Sequence, residues 1–226
     1  MSETEKMPIE RISINEYISY IPASKGPLSA DVVIVEGEEY LYLFDVGNNE
    51  AVAEYLDALP KKKKVILSHF HADHIGSIGR IKFETVYAGP IMGKYYQYFV
   101  PNYEKGKEEE KYQTVTEAVR IRDGIELEIH SMPSSHSKGS LLLQVNGEYI
   151  LAGDGLYSRT KEGNAVYNVQ LLKEQIRLLQ ELTGDKLFLS HEKRPVKAKK
   201  SMIKFLERIY ARREKNNPYI RIDNKE

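Results

Sequence analysis

Cysteine is absent from this chain of 226 residues, which removes disulfides, thiolate metal ligands and a cysteine nucleophile together. Charge of either sign is missing as an excess. Lysine plus arginine and aspartate plus glutamate both number 33, so no long-range electrostatic footprint for nucleic acid is present. No apolar run approaches the roughly 20 residues of a membrane-spanning helix. The first residues, Met1 to Lys6, lack the basic-then-apolar pattern of a secretory signal. These absences lead us to expect a soluble cytoplasmic protein with a small-molecule substrate. A membrane role is excluded, a nucleic-acid role is disfavoured, and no oligomeric state is implied. The length suits one compact domain with a substantial core and is too short for two ordinary ones.

Short extended segments dominate what is present. Residues 17–21, 31–35 and 40–44 are rich in Ile, Val and Tyr, with Gly37-Glu38-Glu39 as a hairpin loop between the last two. Val52, Tyr55, Leu56 and Leu59 recur at helical spacing before Pro60. The lysine run 61–64 reads as a solvated loop ahead of a short strand at 65–67. Further strands are expected at 125–129, 141–145, 149–152 and 186–189, with a turn at Asn146-Gly147. A helix should cover about 169–182, with Gly184 just past its end, and Met202, Phe205, Leu206 and Ile209 mark a last one. Two groups of strands with interspersed helices predict two packed sheets covered outside by helices, in a single domain spanning 1–226.

The segment at about 91–119 stands apart. Tyr95, Tyr96, Tyr98, Phe99 and Tyr103 precede a charged run at 104–111. Spacing favours an amphipathic helix followed by a solvated loop. The alternative is an insertion that caps the substrate with its aromatics.

The strongest signal is Ser68-His69-Phe70-His71-Ala72-Asp73-His74. It follows an apolar strand directly, so the polar cluster sits where the chain leaves the core. In extended backbone, residues two apart point to one side, which lets His69 and His71 reach one ion. Asp73 and His74 fall where the chain turns into the next helix and can serve a neighbouring ion. Three of only six histidines in this stretch argue against chance. Imidazole and carboxylate donors suit zinc foremost, with iron or manganese as alternatives.

These residues form the HxHxDH signature and resemble the metallo-β-lactamase superfamily; other elements occur in that family's order. Leu43-Phe44-Asp45-Val46-Gly47 looks like its aspartate-bearing turn, in which Asp45 would support the site from behind the ligands. His136 in Pro133 to Ser140, Asp154 in Leu151-Ala152-Gly153-Asp154 and His191 in Leu189-Ser190-His191-Glu192 match its later ligands. The resemblance implies a four-layer αββα sandwich and two divalent metal ions. His69, His71 and His136 would hold one ion, Asp73, His74 and His191 the other, and Asp154 would bridge them. Ser135 and Ser190 stand where the family usually has glycine, and Lys138 where proline is frequent. Those departures predict slightly shifted loops and a positive charge near the site. His130 is left to a partly buried structural role.

Two such ions lower the pKa of a water held between them from 15.7 to roughly neutrality, which supplies a nucleophile without serine or cysteine. Asp73 would orient that nucleophile and carry its proton. Tyr157, three residues beyond Asp154, is spaced as in the superfamily's homoserine-lactone lactonases, where a tyrosine contacts the substrate carbonyl; glyoxalase II thioesterases commonly place phenylalanine there. The reading is a binuclear metal-dependent hydrolase of a small ester, thioester or lactone. A phosphodiesterase or nuclease using the same metals is the alternative, and a non-catalytic metal-binding protein ranks third.

Overall fold

The computed structural model describes residues 8–100 and 111–222. Tyr103 and residues 104–110 of the charged run lie outside them. Two large sheets carry the fold. The first has seven strands in the order Ile12–Ser13, Ile18–Ile21, Val32–Glu36, Tyr40–Phe44, Lys62–Ile66, Thr85–Ala88 and Tyr112–Thr114. The second has six, in the order Val119–Arg122, Glu126–Met132, Ser140–Val145, Tyr149–Gly153, Lys186–Leu189 and Val196–Ala198.

Strand periodicity explains the layering. Val33 and Val35 join one apolar cluster, while their neighbours Val32 and Ile34 join another. Tyr42 and Phe44 likewise part from Leu41 and Leu43. On the second sheet Leu141, Leu143 and Val145 meet the first sheet's inner face, and Leu142 points to the opposite side. Residues of both parities are therefore buried, as sheets covered on both faces require. Helix Glu50–Ala58 covers the outer face of the first sheet through Val52, Ala53 and Leu56. Helices Val169–Glu181 and Lys199–Ala211 cover the second through Leu172, Ile176, Leu179, Leu206 and Ile209. Three apolar seams separate four layers, the αββα arrangement expected.

Helix boundaries follow local chemistry. Asn49 Oδ1 accepts from the amides of Ala51 and Val52 at 3.0 and 3.3 Å, and Asn168 Oδ1 accepts from Leu171 at 3.0 Å, each supplying an N-cap. The helix from Val169 stops at an extended Leu182 rather than at a left-handed Gly184. Gly184 serves close packing instead, since a Cβ there would lie 2.9 Å from Ile150 Cγ1.

Two further expectations change. The lysine run is strand rather than loop: Lys62–Ile66 pairs in parallel with Tyr40–Phe44 and with Thr85–Ala88. Lys63 is buried, and its ammonium donates to the carbonyls of Asp57, Leu59 and Lys61, satisfying groups exposed where helix Glu50–Ala58 ends. The segment from 91 onward is a crossover between two parallel strands, Thr85–Ala88 and Tyr112–Thr114, which cannot be joined by a tight turn. Its described part holds only the short helix Gly93–Tyr96, with Tyr96 buried and Tyr98 exposed. A small third sheet of Arg159–Lys161, Asn164–Asn168 and Tyr219–Ile222, not foreseen from the sequence, packs beside helix Val169–Glu181.

Candidate metal centre

Strand ends bring the predicted residues together. Asp45 follows Tyr40–Phe44, His69 to His74 follow Lys62–Ile66, Asp154 follows Tyr149–Gly153 and His191 follows Lys186–Leu189. Parallel strands present their carboxyl ends at one edge, the usual place for a ligand in such sheets. His136 arrives from the loop between Glu126–Met132 and Ser140–Val145. Backbone bonds from Leu141 to Ser68 at 2.8 Å and from Ser190 to Gly153 at 3.2 Å lock these loops to one another. Gly89 is pressed so closely on the end of the His136 loop that a Cβ would lie 1.8 Å from the Gly139 carbonyl oxygen.

Three sets of nitrogen and oxygen atoms result, with members of each set within 4.8 Å of one another. They are His69, His71 and His136; Asp73, His74 and His191; and His69, His74 and Asp154. His71 Nδ1 lies 3.1 Å from His136 Nε2, and Asp73 Oδ2 lies 3.1 Å from His191 Nε2. Asp154 Oδ2 stands between the first two sets, 3.4 Å from His74 Nε2, 3.5 Å from His136 Nε2 and 3.8 Å from His191 Nε2. All seven residues singled out in the sequence converge here.

Hydrogen bonds behind the cluster fix which ring nitrogens face inward. Asp45 Oδ2 lies 2.7 Å from His74 Nδ1 and accepts its proton, turning Nε2 into the cluster. Asp45 also accepts from the Ser68 amide and hydroxyl, each at 2.7 Å. With its one proton given to Asp45, the Ser68 oxygen accepts from His69 Nδ1 at 2.9 Å. His136 Nδ1 donates to the Ser158 carbonyl at 3.3 Å. His69, His74 and His136 thus all turn Nε2 toward the cluster, the arrangement in which a second partner orients a ligating imidazole. Asp45 holds a left-handed φ of 61° to do this, a conformation its own hydrogen bonds sustain.

Electrostatics divide the histidines. Burial, reinforced by the neighbouring imidazoles, drives His69 far below its ordinary value, and burial and His136 lower His71. Burial also opposes charge on His74, but Asp45 and Asp154 prevail and push it up to about 10. The hydrogen bond to Asp73 raises His191. Asp73 goes to about 2; burial works against that, but His191 and His74 outweigh it. Within this network His69 Nε2, His74 Nε2 and Asp154 Oδ1 are buried without a hydrogen-bond partner among the described residues. Buried polar atoms are seldom left so, and a cation among them would satisfy all three at once. The donor set of imidazole nitrogens and carboxylate oxygens fits such an ion chemically.

One contributor, Asp31, carries no sequence signal. Asp31 is buried and accepts from the Ser190 hydroxyl at 3.0 Å and from the His191 amide at 2.8 Å. Ser190 is therefore a tether, and the left-handed residue of that loop is His191 itself, with φ of 63°. Ser135 likewise spends its hydroxyl on the Asn168 amide at 2.9 Å. Tyr157 donates its hydroxyl proton to the Ser190 carbonyl at 2.6 Å, so in this structure it braces the His191 loop. His130 pairs with Glu128 at 3.2 Å on the strand leading to His136, apart from the cluster.

A sequence profile of the metallo-beta-lactamase superfamily matches residues 26–191. No curated protein matches the chain in sequence. Solved structures do. An archaeal metallo-beta-lactamase superfamily protein from Sulfolobus tokodaii is 18% identical, with a TM-score of 0.61 and 90% of each chain covered. A metallo-beta-lactamase from Pontibacter korlensis is 16% identical, with a TM-score of 0.63, covering 88% of this chain and 98% of its own. The flavodiiron protein from Giardia intestinalis is 10% identical at a TM-score of 0.63, covering 90% of this chain and 60% of its own. At such identities the likeness is one of fold. The sequence match spans well over half of the protein and takes in His69 through His191, and on that ground the chain belongs to the metallo-beta-lactamase superfamily.

Proposed function

We propose that this protein is a binuclear metal-dependent hydrolase of a small ester, thioester or lactone. One observation supports this above the others. Two three-residue sets of ligand atoms stand side by side with the buried carboxylate of Asp154 between them. In this reading His69, His71 and His136 would hold one divalent ion and Asp73, His74 and His191 the other, with Asp154 available to both. Zinc is the first candidate, with iron or manganese as alternatives.

Divalent ions held there would supply a nucleophilic oxygen at neutral pH and polarise the carbonyl under attack. The chain's own residues do the rest. Asp45 and Ser68 keep His74 and His69 in the tautomers that leave Nε2 free. Asp73, with its carboxyl held ionised, takes up the proton released at the site and passes it on to the leaving group. Asp31 and Tyr157 fix the loop that carries His191. For Tyr157 to meet a substrate carbonyl, its hydroxyl would have to leave Ser190.

The test is a screen of zinc-loaded protein against p-nitrophenyl esters, acyl thioesters, lactones and bis(p-nitrophenyl) phosphate, alongside elemental analysis of His71→Ala. Carbonyl substrates should be cleaved, and the variant should lose metal and turnover together. Turnover of the phosphodiester alone would redirect the proposal to phosphorus chemistry. Unchanged metal stoichiometry in His71→Ala would remove the ligand assignment.

A further inference from the structure

Beside His136 opens a cleft of about 530 Å³. Lys94, Lys138 and Arg159 line it, and no aspartate or glutamate does among the described residues. None of the three cations forms an ion pair among those residues. Arg159 is held in place, with Nη2 donating to the Tyr219 hydroxyl at 2.9 Å and its guanidinium carbon 5.3 Å from the centre of that ring. The N-terminal end of helix Val169–Glu181 also reaches the cleft through Asn168 and Leu171, and its first turn carries no acidic residue. A 13-residue helix adds partial positive charge at that end. Finally, Ser137 also lines the cleft, and its hydroxyl is buried without a partner among the described residues. Aromatic rings line the cleft as well: Phe70 stacks on Tyr95, with ring centres 4.2 Å apart and planes 6° from parallel.

Charge of one sign from side chains and a helix end, with no acidic side chain among the described residues lining the cleft, is a site for an anion. The chain as a whole is neutral, so this local excess is not inherited from composition. The Phe70 ring centre lies 5.2 Å from that of His71, and His136 lines the same cleft, so a ligand resting on the Phe70–Tyr95 pair is within reach of the histidine cluster.

We infer that the substrate is an anionic acyl compound, whose carboxylate or phosphate group seats among Lys94, Lys138 and Arg159 while its acyl carbon lies at the histidine cluster. This inference rests on the hydrolase reading. Arg159, pre-positioned by Tyr219, provides a planar fork for two oxygens, and the lysines provide point charges. Apolar chain between the two ends of the substrate packs on Phe70 and Tyr95.

The experiment compares two nearly isosteric esters, p-nitrophenyl valerate and mono-p-nitrophenyl glutarate, which differ by a carboxylate in place of a terminal methyl. Zinc-loaded protein should prefer the glutarate by about tenfold or more in kcat/KM, chiefly through KM, as expected of one charge-assisted hydrogen bond. Lys138→Glu and Arg159→Met should each shrink that ratio toward unity. Cleavage of both esters at equal kcat/KM overturns the anion site and leaves the hydrolase proposal standing. Failure to cleave either one counts against the hydrolase proposal, and the cleft is then judged by calorimetric titration of metal-loaded protein with glutarate and with inorganic phosphate. Saturable binding that Lys138→Glu weakens about tenfold supports the site, the tighter of the two anions naming its group. No binding, or binding indifferent to Lys138→Glu, overturns it.

Discussion

At the scale of single residues, the signature was readable because its chemistry is dense: three histidines and an aspartate within six positions, directly after an apolar strand. The residues that orient them were not. Asp31 and Ser68 belong to residue types common on any surface, and only tertiary contact shows that each is buried and bonded to a histidine loop or ring. Asp45 was found through a motif, and its geometry gives a sharp prediction. Asp45→Asn keeps the side-chain shape and a residue type that tolerates positive φ. It replaces one carboxylate oxygen with an NH2 group, which donates and cannot accept from His74 Nδ1 or Ser68 Oγ. Metal affinity, measured by competition with a chromogenic chelator, should fall about 10- to 100-fold. Affinity equal to that of the unaltered protein would show that the Asp45–His74 contact does not orient the ring.

At the scale of elements, alternation and helical spacing located most strands and the three long helices, whereas polar edges escaped notice. Tyr112–Thr114 and the three-stranded sheet around Tyr219–Ile222 are short and only partly buried, so they leave little hydrophobic period to detect. The lysine run misled for a different reason. Four consecutive charges suggest solvent, yet alternation in a strand turns neighbours to opposite sides. Lys63 points inward to the end of helix Glu50–Ala58, while Lys62 remains exposed beside Glu84 at 2.8 Å. Lys63→Met should therefore cost about 1–3 kcal/mol of stability by stranding half-buried carbonyls at the helix end. Lys62→Met should leave it nearly unchanged. Urea denaturation of the two variants decides the matter, and equal losses would mean that Lys63 does not cap the helix.

For the molecule as a whole, the site joins loops from both sheets, so metal content and global stability must be linked. The sign of its pH dependence follows from His74. In metal-free protein this imidazole is pushed up to about 10 from an ordinary value of 6.5 by Asp45 and Asp154, against its burial. A raised value of this kind means that the stabilisation is complete below 6.5 and is lost as pH rises through about 10. Melting temperature of metal-free protein should accordingly decline between about pH 7 and 9. Zinc-loaded protein, whose His74 would carry an ion in place of the proton, should melt higher and show a flatter profile over that range. Parallel curves for the two forms would indicate that His74 binds no metal.

Because His69, His71, Asp73 and His74 are rooted in one sheet and His136, Asp154 and His191 in the other, the spacing of the ligands is set by the thickness of the seam between them. Tyr42, Phe44, Leu143 and Phe188 fill that seam. They act as the gauge blocks of the site, and swapping one for a larger or smaller side chain would alter how far the histidines and carboxylates of one sheet stand from those of the other without touching any of them.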